Sequence, residues 1–389
     1  MITVEDALSH LFALAKPLGT ERIGLAQAAG RVLAEDAIAK RDQPPFAASA
    51  MDGYAVKGPV NGGEVYTVIG EAAAGSAFSG KVGPNQAIRI FTGAPVPEGA
   101  DTVVIQEDIT RDDNQIKVTG NHHGDNIRPA GGDFKSGQTI KAPRRLTASN
   151  VALLAAMNIP QVTVTRKPEV AVISTGNELV MPGDTPGPDQ IIASNTFGLK
   201  ALLDAHGAST RILPIARDTE SSLRQVFALA EGADLVVTIG GASVGDHDLV
   251  GKVAADLGME QSFYKIAMRP GKPLMAGRLG QSMMIGLPGN PVSAMVCGHV
   301  FLLPVIDAML GLPAQRRPLH TAKLATKVDA NGPREHYMRA RVENGLLTAF
   351  ERQDSALLTV LAEANALLKR PINDGEQDVG ATVEYLPLT

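Results

Sequence analysis

The 389-residue chain carries a single cysteine, Cys297. That excludes an intramolecular disulfide, a CxxC metal site and an iron–sulfur cluster, so nothing in the chain calls for an oxidising compartment. An excess of basic charge is also missing. Lys and Arg number 36 against 41 Asp and Glu, a net charge of −5 that excludes a generic nucleic-acid binder. The N-terminus lacks a basic start followed by an apolar core, and no uncharged apolar run reaches roughly 18 residues. No membrane segment is therefore expected, and the cytoplasm is the expected compartment. No GxGxxG follows a strand-like run, which argues against a nicotinamide-binding Rossmann unit. Pro270-Gly271-Lys272-Pro273 lacks the earlier Gly and the following Ser or Thr of a Walker loop. Internal repeats and low-complexity segments are absent.

What is present suits a folded, multidomain protein. Hydrophobic residues at 44% and charged residues at 20% allow a packed core without the repulsion that keeps chains disordered. The length suits two to four domains of roughly 100 to 200 residues. Forty glycines and 25 prolines imply many specified turns, where function is expected.

Four textures follow one another. Thr3 can cap a first helix with Glu5 and Asp6 in its first turn and a stripe of Val4, Ala7, Leu8, Leu11 and Phe12, and Pro17 helps end it. Short β-like runs between Gly and Pro fill residues 38–135, as at 66–69, 87–91 and 102–105. A second helix at about 147–157 begins at Thr147. Residues 1–37 and 136–167 thus read as a small split helical domain around a β-rich insertion at 38–135. Alternating strands and helices over 168–312 mark an α/β domain with a mostly parallel sheet. Its strands are expected at 170–173, 210–213, 235–239 and 283–285. Helices are expected at 194–206, at 220–231 and from Pro291, where Pro304 should kink or end the helix. Residues 318–389 return to β texture at 322–328 and 338–342, a C-terminal β-barrel-like domain. The fold class is multidomain α/β plus β.

Open parallel α/β sheets bind ligands beyond the carboxyl ends of their strands. Three turns there have unusual polar content: Ser174-Thr175-Gly176-Asn177-Glu178-Leu179, the run Gly240-Gly241-Ala242-Ser243-Val244-Gly245-Asp246-His247-Asp248, and Gly286-Leu287-Pro288-Gly289-Asn290-Pro291-Val292-Ser293. All three should end on one rim. Asn290 fits a helix N-cap and Pro291 the first helical position, leaving free N–H groups and a helix dipole for an anion such as phosphate. Each turn alone also reads as a plain tight turn, whereas three together favour a ligand site.

The acidic residues of the rim are Glu178, Asp246 and Asp248, with Asp218 at a fourth strand-to-helix junction. Asp218 and Asp248 offer hard oxygen ligands of the kind Mg²⁺ shares with substrate phosphates. The alternatives are a helix cap for Asp218 and a solvated loop charge for Asp248. Lys265, Arg269 and Lys272 can converge on a small oxyanion around a Pro-Gly bend, or form a solvated basic loop. His122-His123 has no matching metal ligands nearby, and Cys297 reads as a buried small hydrophobe in an apolar helix.

Taken in chain order, six motifs resemble the molybdopterin molybdenumtransferases, the MoeA-type molybdenum insertases of molybdenum cofactor biosynthesis. They are Ser49-Ala50-Met51-Asp52-Gly53-Tyr54-Ala55, Phe91-Thr92-Gly93-Ala94, Arg128-Pro129-Ala130-Gly131-Gly132-Asp133 and the three turns above. The resemblance covers essentially the whole chain. It implies an elongated homodimer of four-domain subunits, with an α/β molybdopterin-binding domain shared with the molybdopterin adenylyltransferases.

The resemblance further implies that adenylylated molybdopterin and molybdate are the substrates. Mg²⁺-dependent cleavage of the pyrophosphate link would release AMP as the metal joins the dithiolene. Thr175, Gly176, Gly240, Gly241, Ser243, Pro288, Asn290 and Pro291 would hold the pyrophosphate and nucleotide, and Asp218 and Asp248 would place Mg²⁺. Lys265, Arg269, Lys272 and Ser293 would hold the molybdate-side anions, with Glu178 also catalytic. Arg334, Arg339 and Ser355 look like further oxyanion contacts, and Asp52, Thr92, Arg128 and Asp133 would act across the dimer cleft. An adenylyltransferase and molybdoenzyme maturation proteins are implied partners, with no nucleic acid and no membrane.

The chain departs from the family at Arg269, where many relatives have Lys, and at Asp354, where Gly is common and a carboxylate now sits beside Ser355. Two other functions stay open, a molybdopterin adenylyltransferase and a pterin-binding scaffold without turnover. The extra domains favour the insertase over the first, and Asp218 with Asp248 favours catalysis over the second. Molybdate and tungstate share charge and nearly share size, so the preferred oxyanion stays open, as does the enzyme that receives the cofactor.

Overall fold

The computed structural model describes residues 1–120, 124–241 and 249–388. It divides into two compact units. One comprises Met1–Glu21, Gly30–Ala34 and Val164–Thr389, and the other Arg22–Ala29 and Glu35–Thr163.

The larger unit is built on a six-stranded sheet. Strands Ser209–Ile212, Glu169–Ser174, Leu235–Ile239 and Ser282–Leu287 lie side by side in that order and run parallel. Met275–Leu279 and then Met259–Tyr264 extend the sheet antiparallel. The apolar runs are continuous because both faces are covered by helices. Val170, Val172, Leu235, Val237, Met283 and Ile285 enter one core, and the intervening Ala171, Ile173, Val236 and Met284 enter the other. Helix Asn195–Ala205 adds Leu199 and Leu203 to the first. Helices Glu220–Leu229 and Leu249–Asp256 seal the second with Leu223, Val226, Phe227, Val250 and Val253.

All four expected strands are present, and Leu235–Ile239 has the expected bounds. The two antiparallel strands were not expected. Met259–Tyr264 is a largely exposed edge strand, and Met275–Leu279 holds Gly277, where a Cβ would lie 2.3 Å from the Glu260 carbonyl oxygen of that edge strand. Only a residue without a side chain allows this approach.

Pro304 does not end the last helix. The run from Pro291 to Met309 continues through a wide turn at Gly298–Leu302, where the Leu303 N–H reaches back five residues to the Gly298 carbonyl. Such a bulge gives room for a proline without breaking the run. The run is long and apolar enough to cross a membrane by length and composition, although it is not uncharged, since it includes Asp307. Its 19 residues have a mean hydropathy of 1.8, and 89% of that window is buried inside the protein, as suits a core helix.

In the same unit, Glu335–Glu343, Leu346–Ala349, His320–Leu324, Thr382–Pro387 and Ala366–Arg370 pair in that order. Ala366–Arg370 pairs back on Glu335–Glu343 and closes a five-stranded barrel. Its core is Ala322, Leu324, Ala340, Leu347 and Leu368. The short strand Met268–Arg269 joins parallel to the start of Glu335–Glu343, with Arg269 opposite His336. The first helix, Val4–Leu14, starts as expected: Thr3 Oγ1 accepts the Asp6 N–H at 3.0 Å, and Asp6 returns the bond at 3.2 Å.

The smaller unit carries a second six-stranded sheet, in the order Thr102–Ile105, Gly53–Val56, Gln86–Ile90, Val65–Ala72, Gln115–Val118 and Ile109–Asp112. Gly53 is required by close packing, since a Cβ would sit 1.9 Å from the Val104 carbonyl oxygen. Helix Ala148–Ala156 begins at Thr147, which exchanges capping bonds with Asn150.

Candidate functional site

The carboxyl ends of the parallel strands border a cavity of about 1050 Å³. Of the residues expected to act, it is lined by Thr175, Gly176, Glu178, Asp218, Gly240, Gly241, Lys265, Lys272, Pro288, Asn290 and Pro291. Ser243, Asp246 and Asp248 lie outside the described residues, as do His122 and His123. The turns are tied together by their backbone. Thr175 N–H donates to the Ile239 carbonyl at 3.0 Å, Gly176 N–H to Ala216 at 3.1 Å and Gly240 N–H to Leu287 at 3.1 Å. Those three amides are therefore committed to the fold. Gly176 has φ +148°, and a Cβ there would meet Glu178 Oε2 at 2.4 Å, so the glycine is what lets the carboxylate lie back over the turn.

Asp218 does not cap the following helix; Thr219 does, accepting the Ser222 N–H at 3.2 Å. Asp218 instead exchanges bonds of 3.1 Å with Asn177, its carboxylate accepting the Asn177 N–H and its own N–H donating to Asn177 Oδ1. Arg217, which the motifs did not single out, donates to the Asn177 and Leu179 carbonyls at 3.1 and 3.0 Å and braces this turn. Glu178 and Asp218 are the carboxylates lining the cavity among the described residues, and these contain no cluster of three metal-ligating side chains. Two hard carboxylates facing a cavity fit Mg²⁺, which takes one or two protein oxygens and leaves the rest to water and substrate phosphate.

Asn290 stands at the helix N-cap with extended backbone but makes no capping bond. Its side-chain amide donates to Ser355 Oγ at 3.0 Å, and the Ser355 carbonyl accepts the Val292 N–H at 3.0 Å. Ser293 is buried and does not line the cavity. The Asp354 carboxylate accepts the Ala356 N–H at 2.8 Å, so its charge is engaged in a local turn.

The basic segment does not converge. Lys265 and Lys272 face the rim cavity, while Arg269 lines a second cavity of about 640 Å³ bounded by barrel residues, including His336 and Arg370. Gly271 makes the bend, with φ +109° and room only for a hydrogen against Cys297 Sγ. Cys297 is fully buried, and burial pushes its thiol pKa up, as the reading of a small hydrophobe requires. Arg339 is fully buried. Its Nη2 donates to the Asp354 carbonyl at 2.8 Å, and its Nε and Nη1 have no partner among the described residues. Arg334 is half-buried just before the same strand. His336, also missed by the motifs, is pushed down to about 3 by burial and then by Arg269, Arg339, Arg334 and Arg370.

In the smaller unit Asp52 and Thr92 are brought together. Asp52 Oδ1 accepts the Thr92 N–H and hydroxyl, both at 2.7 Å, and these bonds hold its pKa below the usual carboxylate range. Arg89 lies nearby, stacked over Tyr54 and Phe91 at 5.1 and 4.7 Å and donating to Gln106 Oε1 at 2.7 Å. Arg128 is exposed on a strand paired with Ala48–Ser49, and Asp133 is exposed beyond it.

A mixed α/β sheet whose glycine-rich turns border one cavity, joined to a closed five-stranded barrel, defines a class. Residues 171–308 match the family described as a probable molybdopterin binding domain. Residues 2–158 match the MoeA N-terminal region (domain I and II), and residues 321–388 the MoeA C-terminal region (domain IV). A molybdopterin molybdenumtransferase of Haemophilus influenzae is 37% identical over 84% of this chain and 82% of its own length. One from a Nostoc species is 34% identical over 100% of this chain and 94% of its own. A crystal structure of the molybdopterin biosynthesis MoeA protein of Pyrococcus horikoshii, 30% identical, superposes with a TM-score of 0.83 over 100% of this chain and 99% of that one. The chain belongs to the MoeA family of transferases.

Proposed function

We propose that the chain inserts molybdate into adenylylated molybdopterin, with Mg²⁺-dependent cleavage of the pyrophosphate link and release of AMP. The coarser statement, molybdenum insertion into molybdopterin, follows from what its relatives are named. The observation that carries the finer reading is the rim cavity, where Glu178 and Asp218 face the same space as Lys265 and Lys272. Carboxylates for a cation and ammonium groups for anions around glycine-rich turns suit a magnesium-bound phosphoanhydride.

In this reading the glycine-rich turns and the helix start at Asn290 hold the nucleotide and pyrophosphate. Asp218, with Asp248, would hold Mg²⁺, which when bound supplies charge neutralisation on the pyrophosphate. Lys265 and Lys272 balance negative charge on the phosphate and molybdate oxygens. Arg269, Arg334 and Arg339 serve the oxyanion from the barrel side and Ser355 from beside Asn290, while the buried Ser293 drops out of that set. We further infer a homodimer in which Asp52, Thr92, Arg128 and Asp133 act on the site of a second copy of the chain. Cytoplasmic work beside an adenylyltransferase and molybdoenzyme maturation proteins completes the reading.

Lys272→Ala tests it. The molybdate concentration needed for half-maximal AMP release should rise at least about tenfold while AMP affinity changes little. A fall in AMP affinity with unchanged molybdate dependence contradicts the assignment.

A further inference from the structure

The barrel holds a row of cationic side chains that the rim does not explain. His336 opposes Arg269 on one flanking strand and Arg370 on the other, and all three line the 640 Å³ cavity. Arg370 is satisfied: it is fully buried, pairs with Asp374 at 2.5 Å and donates to the Asp329 carbonyl at 2.9 Å. Arg269 is different, being exposed and without a hydrogen bond or ion pair among the described residues. His336 is only 6% exposed, and its Nε2 is buried with no partner among the described residues.

The surrounding charges are unevenly balanced. Arg334 and Arg339 add positive charge from the segment that carries His336 itself. Across the cavity, Lys327 is paired with Glu376 at 2.5 Å, and Asp329 and Glu351 supply carboxylates. Arg339 spends one nitrogen on backbone carbonyls and leaves two unpartnered among the described residues. Burial, and then repulsion from these guanidinium groups, oppose a further cation here and keep the imidazole neutral. An oxyanion seated against Arg269 reverses that sign, since it neutralises the nearest guanidinium and attracts a proton to the ring.

We propose that His336 makes oxyanion capture proton-linked: the imidazole takes up one proton as a tetrahedral dianion seats against Arg269. This rests on the reading that Arg269 and Arg339 serve the oxyanion, and it adds a positioning residue that the motifs did not contain. The linkage fixes the direction. A proton bound only in the complex makes affinity rise as pH falls, by up to tenfold per pH unit.

Molybdate affinity of the full-length protein, measured by calorimetry between pH 8 and pH 6, tests this. The dissociation constant should fall by at least about fivefold in the wild type and by less than about twofold in His336→Gln. Titrating the wild type in two buffers of different ionisation enthalpy counts the protons directly and does not depend on the variant folding. About one proton taken up per molybdate near pH 6 is expected. No uptake, or the same pH profile in His336→Gln, overturns the inference and leaves the oxyanion reading intact. Molybdate binding unchanged in Arg269→Ala and Arg339→Ala, or no binding to the wild type, overturns both.

Discussion

Replacing Gly176 with alanine adds one methyl group at a point where its effects on fold and on site separate. The residue has φ +148°, and its new Cβ would lie 2.4 Å from Glu178 Oε2 and 2.6 Å from Oε1. Backbone strain there costs on the order of 1–3 kcal/mol, partly offset by roughly 0.4–1 kcal/mol from the stiffer unfolded chain. The net loss of about 1–2 kcal/mol lowers the melting temperature by a few degrees. The clashing atoms belong to the far end of a flexible side chain, so the carboxylate rather than the turn must give way. Reaching ordinary contact moves it by about 1 Å, and misplacing a catalytic group that far costs about a hundredfold in rate. AMP release under saturating substrate, with a thermal melt of the same preparation, reads both effects. If the variant acts through Glu178, Gly176→Ala/Glu178→Gln should be no slower than Glu178→Gln alone. Turnover like the wild type would show that the placement of this carboxylate has no part in the rate, and losses that simply multiply would show that Gly176→Ala does not act through Glu178.

Two further predictions concern a buried histidine and the assembly. His299 is 7% exposed, and burial, then Arg317 and His206, push its pKa down to about 4 from the usual 6.5. The unfolded chain binds that proton first as pH falls below 6.5, so His299 removes about 2 kcal/mol of stability by pH 5. His299→Gln should flatten the melting temperature between pH 7.5 and pH 5, and an unchanged acid slope would contradict the sign. For the assembly, mixing Asp52→Ala with Asp248→Ala subunits should restore up to roughly a quarter of activity through one intact composite site per mixed dimer. Verified heterodimers without recovery would refute a shared site.

How far the sequence carried the fold depended on how local each signal was. Thr3 with Asp6 and Thr147 with Asn150 are caps closed within four residues, and both helices start where those residues indicate. Leu235–Ile239 is an uninterrupted apolar run and has the expected bounds. Met259–Tyr264 and Met275–Leu279 were not legible because one is mostly exposed and the other needs a glycine at its closest approach. The rim emerged from three separate turns because parallel-strand order alone brings strand ends together. Arg269 was misleading for the opposite reason. Its direction is set by pairing with His336, 67 residues later, and nothing around Pro270 and Gly271 encodes that partner. Likewise Asn290 has the residue type and position of a cap, but Ser355 takes its side chain.

The measurement that bears most directly on the proposed chemistry is AMP release from adenylylated molybdopterin, with Mg²⁺ and molybdate omitted in turn. Insertion predicts AMP formed one for one with molybdenum bound to the pterin, and loss of both when either ion is withheld. Asp248→Asn should lower the rate at least about a hundredfold while the substrate still binds and the melting temperature barely moves. Substrate bound indefinitely without AMP release, or AMP formed with no molybdenum in the product, would contradict the account.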